Sequence, residues 1–393
     1  MIEKNYKSNI YKTYIFAFIF GIHTVRAVYY PYMTVWGGLT FFQMMILQSY
    51  YTAMILLLEI PSGAISDFLG RKTGLSLAAL VVSLAALCYS IIPNFFMFML
   101  AETLWGFSIA LFSGTMDAFV YNSLKSYGEE GKLSKILGRN QTLTLIALTI
   151  SAPIGSVIAQ FISLQFTMNT LAIVYFCGFL MSLTFKEPKL VDDTYQKEHY
   201  LTIVKSGFKE LKNNKILRIL AVDLIPINTL IFFLFWTWQV YFTELNIPII
   251  YFGFISSIMN ITNAIFTIIL PKWLRWAENK LRVLITVNII SGTAYIAAGF
   301  ISNIPLGIII VLVIVSFGYS RFLLFVDGIN KQIESENRAT VLSTINMFSS
   351  MIAAIIFPFV GIIVTWNLFM FFIIIGIVIL ILTIFTRSKT EYL

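Results

Sequence analysis

The sequence predicts an all-α membrane protein that crosses the bilayer twelve times. Three observations lead there: the chain is 58% hydrophobic and only 12% charged, its apolar runs are of helical length, and its Lys and Arg residues gather on one side of those runs. Soluble domains carry about 25% charged residues, so this composition belongs in lipid. In hydrocarbon every backbone polar group must be bonded within the protein, which leaves helices and closed barrels as spanning structures. The runs exceed the roughly 10 residues of a barrel strand, and that selects helices.

Taken in order, the first span is expected at 11–33. The segment MIEKNYKSNIYK before it has charge but no small-residue cleavage site after a short apolar core, so this span should be retained as an anchor. The second, at 41–66, runs into the polar stretch EIPSGAISDFLGRK, and the third follows at 73–92. The fourth, at 95–120, starts beyond Asn94; the fifth, at 140–161, contains Pro153, read as a helix kink; the sixth occupies 166–185. The polar segment 186–216 then divides the chain as a cytoplasmic connector. Within it Tyr200, Leu201, Ile203, Val204, Phe208 and Leu211 oppose Lys197, Lys205, Lys209, Lys212 and Lys215, the pattern of a helix lying on the inner leaflet. Six further spans follow at 217–243, 249–271, 282–301, 304–326, 340–364 and 367–386, each long enough for a ~30 Å hydrocarbon core. The expected domains are 1–185, the connector 186–216 and 217–393.

Every Lys and Arg except Arg26 and Arg321 falls on one side of these spans. Translocation leaves such residues in the cytoplasm, so both termini are expected inside, in the cytoplasmic membrane. The net charge of +8 then reports topology and anionic lipid headgroups, not nucleic acid. Tyr29, Tyr30, Tyr32, Trp36, Trp236, Trp238, Tyr241 and Trp366 at the outer boundary, with Trp273 and Trp276 at the inner one, fit interfacial belts. Cys88 and Cys177 lie within spans, so neither a disulfide framework nor a metal spacing arises.

Between the second and third spans, Gly63, Asp67, Gly70, Arg71 and Lys72 fall at the spacing G-x-x-x-D-x-x-G-R-K. Gly63 permits close helix contact, Asp67 sits where a helix ends, and Gly70 makes a turn that costs other residues more. This loop resembles the signature between helices 2 and 3 of the major facilitator superfamily, and NKQIESENRATVLS, 330–343, resembles the loop between helices 10 and 11 of many bacterial members. A faded internal repeat accompanies it. An offset of about 208 residues sets Asn330 on Asn122 and 271–280 on 63–72, with Pro271 for Gly63, Arg275 for Asp67 and Lys280 for Lys72. The resemblance implies two six-helix bundles with pseudo-twofold symmetry and a small-molecule substrate bound between them near the midplane.

Ionisable groups in hydrocarbon are costly and call for a partner or a wet cavity. Those in the spans or at their edges that call for an explanation are His23, Arg26, Glu59, Glu102, Asp117, Asp223, Arg321 and Asp327. On a continuous first helix Arg26 lies ~21 Å above Lys12, and Glu102 lies ~12 Å below Asn94, so the two nearly match in depth. The resemblance puts helices 1 and 4 on the central cavity. Arg26 and Glu102 are therefore expected as an ion pair, either as alternating partners of substrate and proton or as a structural lock, with His23 one turn away on the same face or buried as a neutral imidazole. Glu102 stands four residues before Gly106, where many proton-driven exporters of the superfamily carry an arginine. A carboxylate in an apolar cavity is suited to taking up and releasing protons, which makes Glu102 the first candidate for coupling. Glu59, Asp67 and Asp117 are expected to meet Arg71, Lys72 and Arg139 in a cytoplasmic gate, or in a fixed latch. Arg321, Asp327 and Asp223 are expected to form the matching second-half cluster, or Arg321 to bind an anionic substrate.

The resemblance implies secondary active transport by alternating access. Proton-coupled efflux of amphipathic or drug-like compounds is favoured by the 16% aromatic content, and SAPIGSV, 151–157, matches the exporters' fifth-helix motif poorly. Proton-coupled import of a nutrient or organic anion is the alternative suggested by Arg26 and Arg321. A lipid flippase on the same scaffold is a further reading. An enzyme is not expected, because His23 and His199 stand far apart and no nucleophile, metal or phosphate-binding motif appears. No cofactor or metal is expected, and the protein is expected to act as a monomer.

Overall fold

The computed structural model describes residues 3–188, 200–277, 279–333 and 338–393. These are helical, with no strand among the described residues. The elements in order are α1 (Glu3–Gly21), α2 (Tyr29–Pro31), α3 (Phe41–Leu69), α4 (Arg71–Ile91), α5 (Phe95–Phe112), α6 (Thr115–Lys125), α7 (Leu133–Phe161), α8 (Leu164–Ser182), α9 (Tyr200–Asn213), α10 (Lys215–Phe232), α11 (Leu234–Glu244), α12 (Ile249–Trp276), α13 (Lys280–Ala298), α14 (Ile304–Val313), α15 (Ser320–Lys331), α16 (Arg338–Trp366) and α17 (Leu368–Ile384). A 3₁₀ turn at Arg26–Val28 and π-helical turns at Tyr32–Trp36 and Ile314–Tyr319 lie between them.

Ten segments among the described residues are long and apolar enough to cross a membrane. α1 and the 17-residue α17 are not among these ten. Their outer faces are apolar: Ile261, Ile265 and Ile268 on α12 are 50%, 52% and 68% exposed. Rows of that kind suit lipid, because hydrocarbon leaves no reason to hide them.

The segments recur in one order. An interrupted helix comes first, then an unbroken one of 28 or 29 residues with an internal proline, then a shorter one. The interrupted members are α1 with the irregular stretch to Trp36, α5 with α6, α10 with α11, and α14 with α15. The long members are α3 with Pro61, α7 with Pro153, α12 with Pro271 and α16 with Pro358. The short ones are α4, α8, α13 and α17. The break between α5 and α6 is set by Gly114, whose φ of 68° lies in the left-handed region that costs an L side chain about 1–2 kcal/mol. Helix starts are marked by side chains that accept otherwise unbonded amides: Asn94 from Phe96, Ser163 from Phe166, Asn214 from Ile216 and Leu217, Asn279 from Arg282, Asn303 from Leu306 and Asn367 from Met370.

By contact the chain divides into two compact units: Met1–Leu39, Leu47–Glu198 and Ile249–Phe254 form one, and Thr40–Ile46, His199–Pro248 and Ile255–Leu393 the other. In the first, α4 packs on α5 and α8 while α1 packs on α7, around a core containing Phe16, Leu75, Phe119 and Phe185. In the second, α13 packs on α17, and the core gathers Leu220, Leu224, Leu284, Val287, Phe325 and Ile329.

Several expectations change here. α1 ends at Gly21, not near residue 33, so Arg26 lies in a 3₁₀ turn and its height cannot be counted at a helical rise from Lys12. α7 starts at Leu133, about two turns before the expected start at 140, because hydropathy reports the bilayer and not the end of the helix. α9 does not rest on lipid alone. It packs on α16, where Gly207 meets the Thr344 side chain and Phe208 lies 6.2 Å from Phe348 between ring centroids. Tyr32, Trp238 and Tyr241 are buried, not interfacial, since Tyr32 and Tyr241 each extend a hydroxyl to a carbonyl of another segment, Tyr89 and Ile301.

Candidate functional site

Among the described residues of the first unit, Glu102 is the acidic side chain that lies deep among apolar helices. Glu102 on α5 is 5% exposed, and its Oε1 accepts from Gln48 Nε2 at 3.1 Å, from the Tyr29 hydroxyl at 3.3 Å and, in a short bond, from the Tyr89 hydroxyl. The cage is braced from several elements. Gln48 on α3 also donates to the Tyr29 hydroxyl at 3.1 Å, Tyr29 comes from α2, and Tyr89 on α4 has its own carbonyl held by Tyr32 at 2.7 Å. All three donors are neutral and all reach the same oxygen. A carboxylate anion accepts these bonds, and so does a carboxylic acid that carries its proton on Oε2. The cage thus fits both charge states without being rebuilt.

Beside it lies an aromatic wall. Trp105, one turn along α5 from Glu102, faces Tyr89 and Tyr175, with ring centroids 6.4 and 5.9 Å away, and His23 at 5.7 Å. His23 sits in the turn after α1, where its backbone amide donates to Ser151 Oγ at 2.9 Å and its carbonyl accepts from the Arg26 amide. Its Nδ1 is buried and has no hydrogen-bond partner among the described residues. Arg26 lies within electrostatic reach of His23 and Tyr175. His23 and Arg26 thus meet through the backbone bond of a turn and not through helical spacing.

The loop after α3 has its own geometry. Gly70 takes φ 88°, open to glycine, and starts α4. The Glu187 carboxylate accepts from the Arg71 amide at 2.8 Å and the Lys72 amide at 2.7 Å, so an anion closes the positive end of α4. Arg71 Nη1 also reaches Ser66 Oγ at 3.5 Å. Among the described residues nothing lies within 4 Å of a Cβ placed on Gly63, so the close helix contact expected of it is not seen there. Asp67 lies in α3, and its side chain is outside the described residues. Glu59 is half-buried on α3, Asp117 is exposed in the first turn of α6, and Arg139 Nη1 points to the Tyr14 hydroxyl at 3.5 Å.

In the second unit Arg321 is 1% exposed and bonded from several directions. Nε donates to Asn288 Oδ1 at 2.7 Å, Nη1 to Asn228 Oδ1 at 2.7 Å and to the Leu224 carbonyl at 3.1 Å, and Nη2 to the Asp223 carbonyl; its guanidinium also lies 4.7 Å from the centre of the Phe325 ring. The three charged residues expected to cluster have different side-chain partners. Asp223 Oδ2 accepts from the Arg387 amide and from the amide and hydroxyl of Ser388. Asp327 is exposed and pairs with Lys280 at 2.8 Å and Lys331 at 2.9 Å.

A search for charged groups passes over Tyr29, Gln48 and Tyr89, because neutral donors leave no mark in an apolar run. Asn228 and Asn288 were visible as amides within the seventh and ninth spans. Glu187 was visible as an acid in the cation-rich FKEPK that follows the sixth.

The comparisons agree with this architecture. No curated protein sequence matches the chain. Among solved structures, the nucleoside transporter NupG superposes with a TM-score of 0.80 at 13% identity, over 97% of this chain and 99% of that one. A bacterial homologue of the human lysosomal transporter Spinster gives 0.72 at 14% identity over 99% and 96%, and a POT family transporter in complex with a thioalcohol-conjugated peptide gives 0.71 at 15% over 96% and 94%. At such identities the likeness is one of fold. The family profile described as Major Facilitator Superfamily matches residues 14–356. The chain belongs to the major facilitator superfamily and is a membrane transporter, not an enzyme.

Proposed function

We propose that this transporter moves small amphipathic molecules by alternating access and couples their movement to protons through Glu102. The observation that carries the reading is the cage itself: a buried carboxylate bonded by Tyr29, Gln48 and Tyr89, with no lysine or arginine among those three donors. Such a group changes charge inside an intact frame, and moving a charge in a low-dielectric site is what links proton binding to a change of conformation. The aromatic wall of Trp105, Tyr89 and Tyr175 suits an amphipathic cargo, since ligand pockets are mostly apolar with a few placed polar groups. Efflux of drug-like compounds as an antiporter is the direction favoured.

The proposed frame is twelve spans in two six-helix bundles, 1–185 and 217–393, with both termini on the cytoplasmic side of the cell membrane and a monomer as the working unit. Arg71, Lys72, Glu59, Asp67, Asp117 and Arg139, with Gly63 and Gly70, are proposed to act at the cytoplasmic gate. Import of a nutrient, in the manner of a nucleoside or peptide carrier, is the second reading, supported by the likeness to transporters of those cargoes. For an anionic cargo, Arg26 is the candidate, because Arg321 is buried and engaged by its own helices.

The test is transport in liposomes under an imposed pH gradient, with a panel of amphipathic cations, nucleosides and short peptides. Gradient-dependent movement of at least one compound is expected, and Glu102→Gln should abolish the gradient dependence while leaving binding in place. Transport by Glu102→Gln that still follows the gradient would remove Glu102 from the coupling step.

A further inference from the structure

The last residues of the chain do not leave the second unit. After α17 they fold back across one end of it and are fastened at four places. The Asp223 carboxylate on α10 takes the Arg387 amide at 2.9 Å and the Ser388 amide and hydroxyl at 2.6 Å each. Thr390 Oγ1 donates to Asn279 Oδ1, the residue that caps α13, at 2.9 Å. Lys280 Nζ donates to the Leu393 backbone oxygen while also pairing with Asp327 on α15. The Tyr392 carbonyl rests on Gly328 of α15, where an added Cβ would come within 2.1 Å of it. Leu393, 1% exposed, belongs to the core with Leu284, Phe325 and Ile329, and Ser388 is 4% exposed.

One contact makes this more than a tidy end. Asp223 is bound on both of its sides: its carboxylate holds residues 387 and 388, and its carbonyl takes Arg321, whose other donors go to Asn228 and Asn288. Residues 386–393 and the buried guanidinium therefore share an anchor on α10, and both bridge α10, α13 and α15. Two of those elements, α10 and α15, belong to interrupted helices, the ones least able to hold their line through their own backbone bonds.

We infer that residues 386–393 form a strap that holds α10, α13 and α15 in register and acts as a conformational latch on the Arg321 network. Docked, it satisfies the Asp223 carboxylate, covers the apolar end of the core and gives Lys280, itself paired with Asp327 of α15, a further acceptor at Leu393. Released, it leaves a buried carboxylate without its donors, so the α10 segment that also orients Arg321 must shift or admit water. The strap is thus a place where an event outside the membrane changes the interior of the second unit.

The experiment is hydrogen–deuterium exchange with mass spectrometry on the full chain in detergent, joined to limited trypsin digestion after Arg387 and Lys389. Gly328→Leu inserts a side chain where the nearest atoms are Tyr392 and Leu393, and so displaces the strap directly. Asp223→Asn keeps the shape but weakens three charge-assisted bonds. Both variants are expected to raise cleavage and exchange at 386–393 at least tenfold and to raise exchange across 284–292 and 316–324 at least threefold. If Gly328→Leu does not fold, Asp223→Asn alone carries the comparison. Unchanged exchange at 386–393 in the folded variants overturns the docking, and a freed strap with unchanged exchange around Asn288 and Arg321 overturns the latch.

Discussion

At Arg321 five donors sit in a fixed fork, and the second unit supplies amide and carbonyl acceptors around it instead of a carboxylate in contact. A buried cation held in this way is a brace. Arg321→Leu leaves Asn228, Asn288 and the carbonyls of Leu224 and Asp223 without their donor, at a cost on the order of 3 kcal/mol. A lowered thermal midpoint in detergent is expected, and a variant as stable as the parent would refute the brace. At Glu102 the expectation is the reverse. Glu102→Gln keeps shape and burial, so stability should hold within about 1 kcal/mol while transport loses its response to pH. Tyr89→Phe removes one donor from Oε1 and should shift the pH profile of transport without erasing it. An unmoved profile would show that the hydroxyl plays no part in setting the charge state. Sequence carried the ionisable half of this chemistry and hid the neutral half, because a tyrosine or glutamine in an apolar run has many structural uses while a carboxylate has few.

Among the elements, the interrupted helices were the least legible. The apolar run over 95–120 predicts one helix, yet the segment breaks at Gly114 and continues to Lys125. Hydropathy is blind to such a break, since the apolar run continues across it; a glycine between polar neighbours was the available sign. Gly114→Ala meets open space but the wrong backbone angle, so it should destabilise by about 1–2 kcal/mol through strain alone, measured by thermal unfolding. No loss would mean that the chain relaxes through the break. Ends marked by Asn or Ser caps were read to within two or three residues, as at Asn94 and Asn367, because a cap is a local bond that needs no distant partner. Arg26 and His23 show the opposite case. Their expected spacing assumes a helix that in fact stops at Gly21, and no local residue announces that stop.

The whole molecule is where composition said most and charge pairing said least. Apolar length and one-sided cations suffice for a helical membrane protein, because the bilayer constrains both without reference to tertiary contacts. The proposed orientation can be checked in a Cys88→Ser, Cys177→Ser background by adding single cysteines at Lys132 and at Asn94. An impermeant thiol reagent applied from outside should label position 94 and not 132 in intact cells. The reverse pattern would invert the topology, and labelling of both would break the span count between them. Long-range partners such as Glu187 for the start of α4, or Asp223 for Ser388, stand 115 to 165 residues apart in sequence, and single-sequence reading has no means of pairing them.

The recurring breaks carry one more implication. Wherever a rod of this kind is notched, some peptide groups trade the neighbour four positions away for one three or five away, as Phe233 does with Leu230 and Gly37 with Tyr32, and those poorer bonds fare worst against oil. The four notched rods must therefore turn those places toward moisture or toward protein.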